Sequence, residues 1–368
     1  MDPDTDNGRS SVPCIIVSAP RAELRDECCW AILRDVPAAR TVRYDVVTLP
    51  GGRGFRRTIS DSGCLVDQHE IDVTTHCMTC AIRIDLLVTL DRLRRRRAPI
   101  IVGLPVGTNV SSVVAALDGG VRVEPELSPA DVRSVVLAVD AKTVVDDLTG
   151  ADQLVDRGQH WEDTDRRSVG EVLAASIDFA DRIVIDGDSD PDARGFLSHL
   201  AGARVSNGQT LDGRRLLRAT RDPRAAYSRI DPLKFRPDGD TALSGAWTLD
   251  LASWRPIHPE RLHRRLADLA IGRLRGRGRF WLPTRPDTVC IWDNAGAQLS
   301  IGDGGDWREE APSTRLVITG IDATDRDRIL GAFETTLMTD SELVRGLANW
   351  IGRDDGLDTW LGSRTTVT

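Results

Sequence analysis

Short, continuously apolar runs, each followed by a segment with helical spacing, constrain the fold of this chain most strongly. Four of them lie at residues 14–18, 100–104, 135–140 and 182–186. A strand that is apolar on both faces is typical of a parallel sheet covered by helices on both sides. The alternation predicts an α/β fold with a mostly parallel sheet and flanking helices, to which residues 41–49 add a strand and residues 56–73 a hairpin.

Beyond residue 245 the pattern changes to short alternating segments that carry five tryptophans: Trp247, Trp254, Trp281, Trp292 and Trp307. Helical spacing returns at residues 259–272 and 323–336. Alternation with period two is typical of half-buried antiparallel strands. The second half therefore predicts a smaller α+β domain with an antiparallel sheet.

Composition shifts divide the chain into five predicted segments. These segments are a disordered lead-in at 1–12, an α/β domain at 13–213, a polar linker at 214–245, an α+β domain at 246–348 and a C-terminal tail at 349–368. The linker prediction rests on a stretch rich in Arg, Asp and Pro, in which apolar periodicity fades.

Charge and cysteine content restrict the compartment and the class of partner. A net charge of -8 argues against a general basic coat for nucleic acid, although local basic patches remain compatible with it. The seven cysteines are odd in number and irregularly spaced, and no secretory leader precedes them, so they predict reduced thiols in the cytoplasm. No apolar run approaches the ~20 residues that a membrane-spanning helix needs.

The segment HCMTC at residues 76–80 carries the clearest chemical signal. Cys77 and Cys80 stand three residues apart at the start of a predicted helix, so both thiolates can reach one zinc ion. His76 and Cys64 are candidates for further ligands because two sulfurs alone do not complete a tetrahedral shell. Two alternatives stay open: a redox pair, or small residues at a helix start that bind nothing.

Several ordered motifs resemble the CobW family of P-loop GTPase metal chaperones and related proteins, over residues 13 to 347. They are the CMTC segment with the following RIDLL, VDA at 139–141, FADRIV at 179–184, PIHPERL at 256–262 and GRFWLPTRP at 278–286. In the family the first of these motifs reads Cys-x-Cys-Cys, so Thr79 stands where the family has its middle cysteine. The resemblance implies a GTPase-like α/β domain followed by a CobW C-terminal-like domain, and it implies that the cysteines bind zinc.

The chain departs from that family where the nucleotide would bind. A phosphate-binding loop needs glycines and a lysine, but SAPRAEL at 18–24 has neither. The guanine-specifying element falls on DGDS at 186–189 and the switch element on GLPVG at 103–107, without their family residues. The only lysines are Lys142 and Lys234, and neither lies near the SAPRAEL segment in the sequence. We therefore expect a degenerate GTPase fold with no nucleotide cofactor and no catalytic residues.

Within the family, the chain resembles most an actinobacterial branch with a His-x-Cys-x-x-Cys element. That resemblance implies a zinc-responsive, non-catalytic adaptor that binds the small ribosomal subunit and recruits a hibernation-promoting factor under zinc starvation. The alternative is a zinc metallochaperone or metal-delivery protein of the GTPase family. A scaffold that pairs with an intact family member is a third interpretation.

Arginine clusters form a second signal. They lie at residues 92–97, 214–224 and 261–279. Such clusters can contact ribosomal RNA through its phosphates, or they can be solvated surface. The sequence contains no RNA-recognition motif with stacking aromatic residues, so readout of bases is not expected.

Overall fold

The computed structural model describes residues 12–50, 52–73, 77–119, 129–162, 164–188, 190–236 and 245–363. The predicted disordered lead-in lies outside these ranges, except for Val12, which is buried against the core. The predicted fold class is confirmed: a large, mostly parallel sheet with helices precedes a smaller antiparallel sheet.

An eight-stranded sheet forms the first part of the molecule. Its strands are β1 (Pro13–Ser18), β2 (Arg40–Leu49), β3 (Gly52–Asp61), β4 (Cys64–Asp72), β5 (Ile100–Gly103), β6 (Asp131–Asp140), β7 (Arg182–Asp186) and β8 (Val205–Asn207). They are arranged in the order β4-β3-β2-β5-β1-β6-β7-β8. The pairs β4–β3 and β3–β2 are antiparallel, and the other five pairs are parallel.

Helices cover both faces of this sheet. They are α1 (Ala22–Asp35), α2 (Met78–Leu93), α3 (Val110–Leu117), α4 (Val144–Thr149), α5 (Val169–Phe179), α6 (Pro191–Ala201), α7 (Gly213–Arg218) and α8 (Pro223–Ile230). Consecutive residues of β1 show why the strands are apolar on both sides. Ile15 packs with α1 on one face and Ile16 packs with α2 and α3 on the other, and both are fully buried.

Three helices begin at the same edge of the sheet. Because β3 is antiparallel to both β2 and β4, β4 runs in the same direction as β2, β5 and β1. The helices α1, α2 and α3 follow β1, β4 and β5 along the chain. Their amino ends therefore all lie at the carboxyl edge of the strands, where α/β folds place their ligands.

A five-stranded antiparallel sheet forms the second part, in the order β12-β11-β10-β13-β9. Its elements are β9 (Trp247–Ser253), α9 (Pro259–Ala270), β10 (Leu274–Leu282), β11 (Arg285–Ala295), β12 (Gln298–Asp306), β13 (Thr314–Gly320), α10 (Ala323–Thr336), α11 (Asp340–Val344) and α12 (Asp358–Leu361). Trp292 is fully buried in its core, whereas Trp254 is exposed. Among the described helices of the whole chain, none combines the length and apolarity that crossing a membrane requires.

Regular structure occupies part of the predicted linker and tail. The helices α7 and α8 fall at the start of the predicted linker, and Asp212 and Asp222 cap their first amides. In the predicted tail, Asp355 is buried and paired with Arg285 at 2.8 Å. Local periodicity missed these elements because short helices depend on caps and tertiary contacts. The exact domain boundaries stay predictions.

The two sheets are joined by a buried ion cluster. Asp178 at the end of α5 contacts Arg275 at 2.9 Å and Arg277 at 2.7 Å, both from β10. Burial opposes ionisation of Asp178, but the two arginines outweigh it and lower the pKa of this carboxyl. Nearby, Gly296 has a φ of 56°, and a Cβ there would collide with the Thr149 carbonyl at the end of α4.

Candidate metal centre

Cys77 forms the N-cap of α2. Its backbone is extended, with φ -120° and ψ 101°, and its Sγ accepts a hydrogen bond from the Cys80 backbone N–H at 3.3 Å. A cap of this kind satisfies one of the amides that a helix start leaves without a partner. The local fold thus presents the two cysteines on one helical turn.

The two thiols of this turn interact with each other. A hydrogen bond to the Cys77 side chain, followed by burial, raises the pKa of the Cys80 thiol above its ordinary value. The Cys80 thiol therefore keeps its proton at neutral pH, and a metal ion that binds this sulfur must displace it. Paired sulfurs of this kind are a chelating donor set for a soft ion such as zinc.

Accessibility separates this pair from most other cysteines of the chain. Cys14, Cys28, Cys29 and Cys290 are buried. Burial raises the pKa of the Cys14 and Cys28 thiols to about 12, so these sulfurs stay protonated and inert. Cys64 and Cys77 are exposed and Cys80 is half-buried.

A cavity of about 300 Å³ opens beside Cys77. Its lining includes the carboxylates of Glu162 and Asp165 and the guanidinium of Arg167. Arg167 contacts Asp165 at 2.7 Å, and its hydrogen bond, opposed by burial, lowers the pKa of Asp165. Oxygen donors and a cation thus line the space in front of the sulfur.

His76 and Cys64 are the two other predicted ligands. His76 lies outside the described residues. Cys64 begins β4, whereas Cys77 follows the other end of that strand by five residues, and β4 covers roughly 26 Å at about 3.3 Å per residue. Within the described ranges, no group of three or more His, Cys, Asp or Glu side chains is placed to hold a metal ion. Cys64 is therefore not brought together with Cys77 and Cys80.

Thr79, which stands where the family pattern has a further cysteine, has a role that the sequence did not reveal. Its Oγ1 accepts a hydrogen bond from the Asn109 backbone N–H at 3.2 Å. Asn109 in turn caps α3 through its side chain, which accepts from the Ser112 amide at 3.0 Å. The start of α2 is therefore tied to the loop between β5 and α3. The N-cap sequence Asn-x-x-Ser was the available signal, but nothing local indicated Thr79 as its partner.

The connection between β1 and α1 does not fit a nucleotide phosphate. Only three residues join the two elements, and α1 begins without a side-chain cap at Arg21. A phosphate-binding loop needs more chain, because several successive amides must wrap the phosphates. Here Pro20 lacks an amide hydrogen, and Arg21 contacts Asp140 at 2.6 Å. Burial opposes ionisation of Asp140, but the Lys142 amide and Arg21 lower its pKa overall.

Arg25, in the first turn of α1, fills the space between α1, the middle of β2 and the end of β5. It is buried, donates to the Tyr44 carbonyl at 2.6 Å, and pairs with Asp45 at 2.6 Å and Asp26 at 2.7 Å. A Cβ on Gly103 would lie 3.2 Å from the Arg25 side chain. All three guanidinium nitrogens of Arg25 therefore donate hydrogen bonds to oxygens of the protein.

The remaining family positions for a nucleotide also lack its donors. Gly103 ends β5 where the switch glutamate would stand, and Asp186 ends β7 where the guanine-binding asparagine would stand. Gly187 follows with a φ of 85°, and Ser189 lies outside the described residues. Thus the described residues at the loop, switch and guanine positions lack the lysine, glutamate and asparagine of the family pattern.

Comparison with known proteins supports the family resemblance. Residues 246–337 match the family described as the cobalamin synthesis protein cobW C-terminal domain. The chain is 30% identical over 317 residues to the zinc chaperone Rv0106 of Mycobacterium tuberculosis, covering 80% of this chain and 74% of that protein. It is 22% identical over 330 residues to the zinc-regulated GTPase metalloprotein activator 1 of Dictyostelium discoideum, covering 76% of this chain and 68% of that protein.

Among solved structures, the zinc-bound YjiA GTPase from E. coli aligns with 13% identity over 89% of this chain and 99% of that chain. The TM-score is 0.32, so the two backbones are only loosely alike. The mycobacterial relative and the matched C-terminal region carry the assignment. This chain belongs to the CobW family.

Proposed function

We propose that this chain is a zinc metallochaperone-type protein that binds zinc through Cys77 and Cys80 and does not run on GTP. One observation carries the proposal: two mutually hydrogen-bonded thiols lie on the accessible first turn of α2, beside a cavity with carboxylates. Two related proteins are named for zinc, which agrees with that chemistry.

An incomplete ligand shell suits cargo that must be handed on. Two thiolates bind zinc firmly enough to capture it, and the remaining positions stay exchangeable for water, an oxygen ligand or a donor of the acceptor protein. A closed four-ligand site would instead hold zinc as a structural ion. Glu162 and Asp165 line the same cavity and supply oxygen that can approach a captured ion.

The transfer step would then be ligand exchange rather than a conformational change driven by hydrolysis. The short β1–α1 connection and the committed Arg25 support this part of the proposal. Each donor exchanged for one on the acceptor keeps the zinc coordinated throughout. No step requires a phosphate.

Zinc affinity, measured by competition with a chromogenic chelator under anaerobic, reducing conditions, tests the site. We expect Cys77→Ser and Cys80→Ser each to weaken zinc binding by about 100-fold or more, because a thiolate ligand is replaced by a weak oxygen donor. Cys64→Ser is the matched control, and it should bind zinc as the unaltered protein does. Equal affinity in all four proteins would contradict the proposal and leave a redox pair or an inert helix start.

Isothermal titration with GTP and Mg²⁺ tests the second half of the proposal. We expect no specific heat of binding, since no lysine or glycine-rich loop meets the phosphates. Micromolar, guanine-specific binding would contradict this half of the proposal and would indicate a GTP-driven metallochaperone.

A zinc-responsive adaptor is the second candidate function, and one set of contacts favours it. Thr79 bonds the Asn109 amide, and Arg167 joins Asp165 beside Cys77 to the Gly107 carbonyl at 2.8 Å. Zinc at the helix start would thus act on the β5–α3 loop, the element that signals nucleotide state in GTPases. As such an adaptor, the chain would recruit a hibernation-promoting factor to the small ribosomal subunit when zinc is scarce.

Co-sedimentation with small ribosomal subunits, with and without a zinc chelator, tests the adaptor. We expect the unaltered protein to be enriched with the subunits when zinc is removed. We expect the Cys77→Ser/Cys80→Ser variant to be enriched in the absence of zinc as well. No enrichment under either condition would eliminate this candidate without affecting zinc binding itself.

A further inference from the structure

An arginine-lined groove lies at the opposite edge of the large sheet from the cysteines. It has a volume of about 700 Å³ and is built from the amino ends of β6 and β7 together with α7 and α8. Six arginines line it: Arg133, Arg182, Arg215, Arg218, Arg221 and Arg229. Three aspartates accompany them, so the lining has an excess of three positive charges, six minus three.

The three aspartates are already bound to the protein. Asp212 and Asp222 cap α7 and α8 by accepting backbone N–H bonds. Asp181 accepts from the Val135 amide at 3.0 Å and pairs with Arg221 and Arg229. Their charge is therefore directed at amides and at the inner arginines rather than at the outer ones.

The outer arginines have no such commitment. Within the described residues, no hydrogen bond or ion pair engages the guanidinium groups of Arg182, Arg215 and Arg218, which are exposed. Arg215 and Arg218 stand three residues apart on α7, which brings their side chains to one helical face. At the base, the Arg221 side chain is buried and is anchored by Asp118 at 2.8 Å.

Other arginines of this chain are used differently. In the 261–279 cluster, Arg275 and Arg279 are buried, and Arg261 and Arg277 contact acidic side chains at 2.8 Å and 2.7 Å. Those side chains stabilise the C-terminal domain and, through Asp178, join it to α5. In the groove, by contrast, arginines outnumber acidic side chains six to three, and Arg182, Arg215 and Arg218 are exposed.

We propose that this groove binds the phosphodiester backbone of a nucleic acid strand. Guanidinium groups match phosphate oxygens with paired hydrogen bonds, and several of them in a row favour a ligand with repeated phosphates. Among the described residues that line the groove none is aromatic, so bases have no stacking platform there and we expect binding that is independent of sequence. The inference goes beyond the zinc function, because the groove and the cysteines occupy opposite edges of the sheet.

Fluorescence anisotropy with labelled oligouridine RNA and oligothymidine DNA tests the groove on the full chain. We expect Arg182→Ala/Arg215→Ala/Arg218→Ala to weaken binding by about 10-fold or more. It should also reduce the slope of log K against log salt by roughly 2, since three phosphate contacts are lost at about 0.7 per contact. Binding of either strand supports the proposal, and the strand that binds more tightly shows whether RNA or DNA is the preferred ligand.

The control is Arg264→Ala/Arg326→Ala/Arg345→Ala, which removes the same charge from exposed positions elsewhere. It should retain the affinity and the salt slope of the unaltered protein. Equal weakening in both triple variants would assign binding to overall charge and overturn the groove. Competition by polyglutamate as strong as that by RNA would indicate an acidic protein partner instead and also overturn the proposal. Cys77→Ser/Cys80→Ser should leave nucleic acid binding unchanged, which separates this test from the zinc proposal.

Discussion

Two helices, α1 and α2, begin at the same edge of the large sheet, but the first turn of α1 is filled by ion pairs and the first turn of α2 is accessible. The start of α1 is closed, because Arg21 is paired with Asp140 and buried Arg25 with Asp26 and Asp45. The start of α2 is accessible, and its cap is a thiol that accepts from the Cys80 amide.

The difference shows how one fold can exchange one ligand site for another. A helix start attracts anions through its amides and dipole. At α1 the short connection and the internal ion pairs take up the space that a phosphate would need. At α2 the helix start is capped by the Cys77 sulfur, and two sulfurs on one turn suit a soft cation such as zinc.

The largest expected effect tests whether the closed start is structural. Arg25→Ala should lower the free energy of unfolding by about 3–5 kcal/mol, because it leaves Asp26, Asp45 and two carbonyls without their buried cation and opens a cavity. Urea unfolding measures it. Arg34→Ala, an exposed arginine on the same helix, should change that free energy by about 0.5 kcal/mol or less. If both variants lost a similarly small free energy of unfolding, Arg25 would not stabilise the start of α1.

The second effect concerns protons at the accessible start. The Cys80 pKa is raised, so its thiol is protonated at neutral pH and zinc must displace the proton. Zinc affinity should therefore increase between pH 6 and pH 8, by about 10-fold to 100-fold per pH unit for one or two protons released, or about 1.4–2.7 kcal/mol. Competition titrations across pH measure it. An affinity that does not vary with pH would mean that the thiols are not the ligands.

A third thiol at the accessible start should strengthen it. Thr79→Cys places sulfur at the position of the family's additional cysteine, and we expect zinc affinity to rise by about 10-fold, or about 1.4 kcal/mol. The gain is measured against Thr79→Ser, which keeps the hydroxyl that accepts from Asn109 and should bind zinc as before. Unchanged affinity in Thr79→Cys would show that this side chain stays turned toward the β5–α3 loop.

The smallest effect lies at the outer pair of the closed start. Arg21 and Asp140 are partly solvated, with 37% and 25% of their side chains exposed. A double-mutant cycle with Arg21→Ala and Asp140→Ala should give a coupling of about 0.5–1 kcal/mol in urea unfolding. A coupling above about 3 kcal/mol would place this pair among the buried ones that hold α1.

The sequence predicted the sheet well because buried parallel strands leave a local signature. The run at 182–186 and the helical spacing at 323–336 coincide with β7 and α10. The helix predicted at 81–97 instead begins at Met78, because the Cys77 cap closes its first turn. Helices α7 and α8 were missed, since six and eight residues carry too little periodicity to be recognised.

The candidate site divides in the same manner. The spacing of Cys77 and Cys80 already predicted paired thiols, because residues three apart on a helix share a face. Whether Cys64 could join them depended on strand direction, which no local pattern contains. The commitment of Arg25, the bond from Asn109 to Thr79 and the convergence of six arginines on one groove likewise join distant parts of the chain.

By itself the sequence determined the α/β class, the cysteine pair and the loss of the phosphate loop. Each of these follows from residues that are close along the chain, where periodicity, spacing and backbone chemistry act directly. The tertiary structure alone decided which charged groups are neutralised and which remain available to a ligand. That balance depends on partners from other strands and helices, because a charge is satisfied by what lies next to it in space.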